Sequence, residues 1–170
     1  MHETPGDLLA LQELLDRSFA AAGHHLLEVI TPDLRLTAPE VCDRLQGVCL
    51  LALATVTADG RPLVAPVDGV FFRGSFHFSS SPDSVRIGHL RRRPQVSATH
   101  LPGESFAVTV HGEARLVDLT EPSASGLRAT MLDLYVPRYG PSWESVLDSA
   151  AMYARIEARK IFTFDGSSLL

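Results

Sequence analysis

The sequence contains few of the residues that form covalent cross-links or membrane spans. Cys42 and Cys49 are its only cysteines, they lack the spacing of a CxxC metal motif, and both stand in apolar surroundings. We therefore expect buried free thiols in a reducing compartment and no structural disulfide. No apolar run approaches the roughly 18 residues of a membrane helix, and the signature of a signal peptide is missing. These absences predict a cytoplasmic protein that does not enter a membrane.

Positive charge and catalytic signature motifs are also scarce. The chain has 15 basic and 20 acidic residues, a net charge of −5, and Lys160 is its one lysine. This balance disfavours a nucleic-acid partner. The sequence has no GxSxG elbow, HExxH motif or P-loop, so a covalent mechanism is not predicted. We interpret the adjacent His24 and His25 as surface or packing residues and expect no metal site.

Apolar residues make up 45% of the 170 residues, which is enough for one domain with a real core. Helical apolar spacing over 7–29 predicts a helix, or a helical pair broken near Gly23. The string Thr37-Ala-Pro-Glu40 has the form of a capping box and predicts a short helix over about 39–46. Residues 1–44 are therefore interpreted as an N-terminal helical extension.

After this extension, the pattern changes to strands. Asp59-Gly60 marks a hairpin turn, and Gly112 marks a bulge or bend in a long strand. The predicted strands are 48–57, 62–72, 75–79, 95–101, 105–119 and 153–165. The predicted helices are 83–92, 121–135 with Thr120 as cap, and a short one with Trp143 inside 137–148. Mostly hairpin-joined strands avoid exposed edges by closing into a barrel, so the sequence predicts a mainly β, α+β fold with six antiparallel strands.

The segment Phe76–Leu90 joins a strand to a helix through a serine-rich turn. Ser79-Ser80-Ser81 follows the strand end, and helical apolar spacing begins after Asp83. The first turn of a helix carries unpaired N–H groups and the positive end of the helix dipole. With hydroxyls and Arg86 nearby, this junction is interpreted either as an anion site or as an ordinary helix start capped by Ser81 or Asp83.

Six short strings, in this order, resemble the pyridoxamine 5′-phosphate oxidase-like FMN-binding split β-barrel superfamily, in its actinobacterial flavin or deazaflavin oxidoreductase group. The strings are Leu53–Pro62, Val64–Val67, Phe76–Arg86, Leu90–Pro94, Val110–Val117 and Tyr153–Asp165. The resemblance implies a six-stranded antiparallel split β-barrel over residues 45–170. It also implies a homodimer with FMN in a cleft at the subunit interface and an unknown small-molecule substrate.

The same resemblance implies which residues bind the cofactor. The positions that correspond to the family's phosphate site are Ser79, Ser80, Ser84, Val85 and Arg86. The strand whose backbone follows the isoalloxazine ring corresponds to Val64, Ala65, Pro66, Val67 and Asp68. Because Val85 replaces one of two basic residues, Arg86 has to act with hydroxyls and backbone N–H groups alone.

Departures from the family pattern narrow the expected activity. Ala107 stands where the family has a flavin-contacting glutamine, and the C-terminal arginine and tryptophan substrate motif has no counterpart. We therefore expect a flavin-dependent oxidoreductase that is not a true pyridoxamine-phosphate oxidase. Two alternatives stay open: a reductase that uses the deazaflavin coenzyme F-420, and a barrel that binds flavin or haem without turnover. No catalytic residue is assigned, because a bound flavin performs the hydride or electron transfer itself.

Three further sets of residues have two interpretations each. The first set is four histidines, which are either proton donors or haem ligands, or else ordinary packed or surface residues: His77, His89, His100 and His111. The second set is four arginines, which either contact a longer anionic cofactor tail or form a solvated face: Arg61, Arg91, Arg92 and Arg93. The third set is aromatic and basic, and it either caps the cofactor cleft or holds the last helix against the barrel: Tyr135, Arg138, Tyr139 and Trp143.

Overall fold

The computed structural model describes residues 2–147 and 151–169. Its α-helices are α1 (Pro5–Ala20), α2 (His24–Val29), α3 (Ala38–Arg44), α4 (Val85–Leu90), α5 (Ser125–Tyr139) and α6 (Trp143–Leu147). Short 3-10 helices are Pro32–Leu34, Pro122–Ala124 and Ser167–Leu169. The predicted N-terminal helical pair is confirmed, with Gly23 as the N-cap of α2. The predicted capping box of Thr37 and Glu40 begins α3.

Six antiparallel strands form a closed barrel in the order β1-β2-β3-β6-β5-β4, which confirms the predicted fold class. The strands are β1 (Val48–Val56), β2 (Pro62–Phe72), β3 (Ser75–Ser80), β4 (Gln95–Gly103), β5 (Phe106–Val117) and β6 (Met152–Asp165). The register of β5 against β6 shifts between His111 and Gly112. A Cβ at Gly112 would lie 2.1 Å from the Glu157 carbonyl oxygen, so this bulge requires glycine.

Several helix boundaries differ from the prediction. The N-cap of α4 is Ser84, whose Oγ accepts the Ile87 N–H at 3.2 Å; it is neither Ser81 nor Asp83. Thr120 does not cap α5, because its N–H and hydroxyl both donate to the Asp118 carboxylate and a 3-10 turn intervenes. Near Pro137, α5 continues to Tyr139, since a proline in the last turn removes few helical hydrogen bonds. The short helix with Trp143 is confirmed as α6, while residue 148, the end of the segment in which it was predicted, lies outside the described residues.

The interior of the barrel and the N-terminal helices share one apolar core. Leu51, Phe76 and Val108 of the strands are at most 1% exposed. Leu15 of α1 and Val41 of α3 belong to the same buried cluster. The N-terminal helices therefore contribute to the barrel core instead of forming a separate one.

Cys42 and Cys49 are buried free thiols, as predicted. Burial raises the pKa of Cys42 to about 12 and the pKa of Cys49 to about 11. Both thiols are therefore protonated and unreactive near neutral pH. Among the described residues, no helix is both long enough and apolar enough to cross a membrane.

The outer surface of the barrel has two contrasting faces. On what we call the covered face, α5 and α6 pack a second apolar cluster against outward residues of the barrel such as Val70 and Tyr153. What we call the bare face is formed by outward residues of β1, the first half of β2, and β4. Its members include Leu50, Ala52, Val64, Pro66 and Thr99, which are neighbours in the strand register. No helix among the described residues packs an apolar cluster over them.

Candidate cofactor site

The turn between β3 and α4 brings two serines and an arginine together. Ser80 ends β3, and its hydroxyl donates to the Ser84 hydroxyl at 3.0 Å. Arg86, in the first turn of α4, donates from Nη1 to Ser80 Oγ at 3.3 Å. The Ser84 N–H closes the turn by donating to the Ser81 carbonyl at 3.0 Å. We call Ser80, Ser84 and Arg86 the serine–arginine cradle.

Arg86 also connects this cradle to β2. Its Nη2 donates to the Pro66 carbonyl oxygen at 3.2 Å. Partial burial lowers the pKa of the Arg86 guanidinium from its ordinary value, but an arginine in a protein stays charged at neutral pH. The side chain therefore places a fixed positive charge between the serine turn and the strand.

The part of β2 beside the cradle has one strand neighbour instead of two. β1 pairs with β2 along Pro62–Val70, whereas β3 pairs with it along Gly69–Phe72. Within the described ranges, no strand pairs with the second edge of β2 over residues 62–68, which we call the open edge. Backbone groups at an edge without a strand partner are available to other donors and acceptors. The Pro66 carbonyl is such a group, and it accepts from Arg86.

A cavity of about 260 Å³ lies between the cradle and the β1–β2 hairpin. Its walls are Leu53, Thr55, Leu63, Ala65, Ser80, Ser84, Val85 and Arg86. The polar groups are those of the cradle and Thr55, and the other walls are apolar. A ligand with an anionic end and an apolar body fits this division of the walls.

The structure brings part of the predicted cofactor site together. Predicted residues that line the cavity are Ala65, Ser80, Ser84, Val85 and Arg86. Pro66 joins them through its carbonyl oxygen. These residues come from β2 and from the junction of β3 with α4, which closure of the barrel brings together.

The other predicted residues have different positions. Val64 and Asp68 are exposed and face outward on β2, since side chains alternate along a strand. Val67 faces inward and packs against the barrel core. Ser79 pairs with Tyr153 of β6 and is not a wall of the cavity. For these four positions, an approach to the cavity is limited to their backbone.

Thr55 lines the cavity but was not among the predicted site residues. It is 4% exposed, and its hydroxyl lies 2.9 Å from Nδ1 of His89 on α4. Because Thr55 is two residues after the inward-facing Leu53 on β1, the alternation of side chains along a strand could have predicted that Thr55 also faces inward. The contact with His89 depends on how α4 packs against β1, which no local pattern specifies.

The four candidate histidines lie on different elements and have different partners. Apart from His89, these partners are the Ser75 carbonyl for His77, the Leu50 carbonyl for His100 and the Ser97 hydroxyl for His111. In the part of the chain that the structure describes, no three His, Cys, Asp or Glu side chains are placed to hold a metal ion. Of the four, His89 is the one next to the cradle cavity.

The arginines considered for a cofactor tail do not converge on one point. Arg61 pairs with Asp59 at 2.8 Å in the β1–β2 turn. Arg93 donates from Nε to the Val56 carbonyl at 3.0 Å and so fastens the end of α4 to β1. Arg91 and Arg92 are exposed at the end of α4, which leaves them in solvent close to the cradle's helix.

The aromatic cluster fastens α6 to α5. The rings of Tyr135 and Trp143 stack with centroids 4.1 Å apart and planes 14° apart, and the Arg138 guanidinium lies 5.7 Å from the Tyr139 ring centroid. Tyr135 is buried in the covered face, where burial raises its pKa to about 12. None of the four residues is a wall of the cradle cavity of this chain, and the Tyr135–Trp143 stack packs α6 against α5.

Comparisons with known proteins agree with the fold. The sequence has no match among curated proteins. Among solved structures, a conserved hypothetical protein, Rv2991 from Mycobacterium tuberculosis, is 23% identical with a TM-score of 0.67, over 81% of this chain and 90% of that one. The heme storage protein HutZ from Vibrio cholerae is 23% identical with a TM-score of 0.60, over 74% and 93%.

A protein described as an F420 reductase is 21% identical with a TM-score of 0.54, over 69% of this chain and 91% of that one. Identities this low show that the three proteins share the fold with this chain. The family model of pyridoxamine 5′-phosphate oxidase matches residues 37–161, from the capping box before α3 into β6. Because that match covers most of the sequence, with five strands of the barrel in full and most of the sixth, the chain belongs to the pyridoxamine 5′-phosphate oxidase family.

Proposed function

We propose that this protein is an FMN-dependent oxidoreductase that binds the flavin phosphate at the serine–arginine cradle and the flavin ring along the open edge of β2. The observation that carries the proposal is the position of Arg86, which donates both to Ser80 and to the Pro66 carbonyl. One guanidinium thus fixes the cradle and the open edge relative to each other. Hydroxyl and guanidinium donors suit a phosphate, and apolar walls suit a planar ring.

In this proposal, each part of the site has a separate task. Ser80, Ser84 and Arg86 donate to the phosphate, and backbone groups of Val64–Asp68 contact the ring edge. Leu53 and Leu63 exclude water from the ring, because they supply apolar walls of the cavity. A bound flavin supplies the hydride or electron transfer, while the Thr55 and His89 pair holds a proton at the wall of the cavity.

A homodimer is part of the proposal because the bare face has the character of an interface. Leu50 and Val64 are 58% and 66% exposed, and they lie beside the small residues Ala52 and Pro66. Contiguous exposed apolar surface of this kind marks an interaction site. Val64 and Pro66 face outward on either side of Ala65, whose side chain lines the cradle cavity. A second copy of the chain bound to the bare face therefore lies next to the open edge of β2.

A second candidate is a reductase that uses the deazaflavin coenzyme F-420, and the single cation of the cradle favours it. Val85 occupies the position expected for a second basic residue, and its side chain is 68% exposed. A phosphodiester, as in F-420, carries one negative charge, whereas a phosphate monoester such as FMN carries about two near neutral pH. One guanidinium therefore balances the phosphodiester more closely.

Titration of the purified protein with FMN, with F-420 and with haem tests the proposal. We expect FMN to bind, and we expect Arg86→Ala to weaken it by about 1.5–3 kcal/mol, the loss of charge-assisted hydrogen bonds. Arg17→Ala is the matched control, since Arg17 is an exposed arginine of α1 that pairs with Glu13, and it should leave the affinity unchanged.

Equal FMN affinity in the Arg86→Ala protein and the unchanged protein would contradict the placement of the phosphate. Tighter binding of F-420 than of FMN would support the second candidate. A Soret band after addition of haem, with no flavin binding, would replace both oxidoreductase readings with a haem-binding barrel.

A further inference from the structure

A second cavity, of about 370 Å³, lies near the β2–β3 turn, at the opposite end of β3 from the cradle. It is enclosed by the β2–β3 turn, by outward residues of β3, β5 and β6, and by the start of α5. Its walls include Phe72, Arg73, His77, Arg115, Leu127 and Arg155. None of its wall residues belongs to the cradle cavity, so the two cavities are separate.

Two guanidinium groups are held side by side in its wall. His77, Arg155 and Arg115 form a row across β3, β6 and β5. Glu157 fixes the two arginines by accepting from Arg155 Nη2 at 2.5 Å and from Arg115 Nε at 3.1 Å. A guanidinium has five N–H donors, so both groups keep donors that these contacts do not use.

The ion-pair network around these arginines has an excess of positive charge. Glu113 accepts from Arg115 at 2.9 Å and also pairs with Arg159. Two glutamates, Glu113 and Glu157, therefore serve three arginines. Arginine is the side chain best suited to recognise a planar carboxylate, because its fork donates two parallel hydrogen bonds.

A third arginine stands at the turn between β2 and β3. Arg73 adopts a left-handed backbone with φ of 48°, and Gly74 follows with φ of 74°. A tight hairpin turn requires positive φ at these positions, which an arginine adopts only at a cost. This turn places the Arg73 guanidinium at the same cavity, 5.8 Å from the Phe72 ring centroid, where Asp7 pairs with it at 3.8 Å.

Two further wall residues, Leu127 and His77, are buried and carry no charge near neutral pH. Leu127 is 3% exposed and His77 is 7% exposed. His77 Nδ1 lies 3.1 Å from the Ser75 carbonyl, and since a carbonyl can only accept, Nδ1 carries the proton. Burial lowers the pKa of His77 to about 4, so the ring is uncharged near neutral pH. The cavity thus places guanidinium groups beside an uncharged imidazole and the apolar side chains of Leu127 and Phe72.

Two acidic residues limit the charge of a ligand. Asp118 and Glu121 also line the cavity, and one Asp118 oxygen already accepts from both the N–H and the hydroxyl of Thr120. Carboxylates in the same cavity repel a multiply charged anion. From this arrangement we infer a second ligand site, beneath the start of α5, for a small organic monocarboxylate with a flat apolar body, held by Arg115 and Arg155.

Benzoate and its uncharged analogue benzamide are the probes for this site, which does not depend on the proposed flavin function. We expect benzoate, added to the full-length protein, to shift the NMR signals of the Leu127 methyl groups and the His77 ring with an affinity of roughly millimolar strength. Benzamide should bind about tenfold more weakly or worse, because it cannot form the charge-assisted pair.

Variants then assign the binding to the named residues. Arg155→Gln and Arg115→Gln should each weaken benzoate about tenfold or more, while Arg86→Ala, in the cradle, should leave benzoate binding unchanged. Leu127→Phe reduces the cavity and should also weaken benzoate, which provides a readout if one glutamine variant does not fold. The inference is overturned if benzoate causes no shifts, if benzamide binds equally well, or if Arg86→Ala abolishes the shifts.

Discussion

The covered face and the bare face of the barrel are built from the same kind of strand but bury their outward residues differently. Within β2, Val70 is 3% exposed, whereas Val64 is 66% exposed, although both point to the same side of the strand. On the covered face, Leu127, Met131 and Tyr135 of α5 bury Val70. The bare face has no such helix among the described residues, which is why we propose that a second copy of the chain buries it.

This difference shows that one strand can serve two surfaces when its neighbours change along its length. The half of β2 near Val70 pairs with both β1 and β3, while the half near Val64 pairs with β1. The half with one strand partner contains the open edge, and it also supplies the β2 residues of the bare face and of the cradle cavity wall. The proposed cofactor and the proposed partner subunit therefore meet on the same seven residues, 62–68.

The largest expected effect comes from placing a charge on the bare face. Val64→Asp should convert the proposed homodimer to a monomer, because an unpaired charge buried in an interface costs on the order of 3–5 kcal/mol. Sedimentation equilibrium at fixed protein concentration measures this. Leu9→Asp is the matched control, since Leu9 on α1 is 69% exposed and does not belong to the bare face. A Val64→Asp protein that dimerises as tightly as the unchanged chain would refute the interface.

A smaller effect is expected on the covered face, where the helix belongs to the same chain. Leu127→Ala should lower the free energy of unfolding by about 3 kcal/mol, because it leaves a cavity between α5 and the barrel. Urea denaturation measures the change, with Leu9→Ala as an exposed control expected to change stability by less than about 0.5 kcal/mol. We expect the oligomeric state to be retained; its loss would mean that the two faces are not independent.

The smallest of the three effects concerns the titration of His77 under the covered face. Its pKa falls from 6.5 to about 4 on burial, so the unfolded chain binds the proton more tightly. The stability due to the neutral ring is complete above about pH 6.5 and is lost as the pH falls toward 4. Between about pH 7 and pH 5 the loss should be about 2 kcal/mol.

Measuring the free energy of unfolding across this range for the unchanged protein and for His77→Gln isolates the contribution of this ring. Glutamine retains a donor for the Ser75 carbonyl but does not titrate. We expect the pH dependence to flatten in His77→Gln. Identical slopes in the two proteins would show that His77 is not buried as a neutral ring.

Much of the fold could be predicted from the sequence because its signals are local. The Asp59-Gly60 turn, the capping box of Thr37 and Glu40, and the alternation of the strands each act over a few residues, and all reappear in the structure. The errors occurred where local signals competed. Several residues near the start of α4 are able to cap it, and the one that does is Ser84, whose hydroxyl also meets Ser80 across the turn.

The order of the strands and helices along the chain, the glycine at the bulge, and the serines and arginine of one turn can all be seen in the sequence. The folded barrel is needed to see that Arg86 reaches the Pro66 carbonyl, 20 positions away, that Thr55 contacts His89, and that Arg115 and Arg155 share Glu157. The same is true of the outward residues that α5 covers. The physical reason is that these contacts depend on closure of the barrel, which brings together elements that no short-range pattern relates.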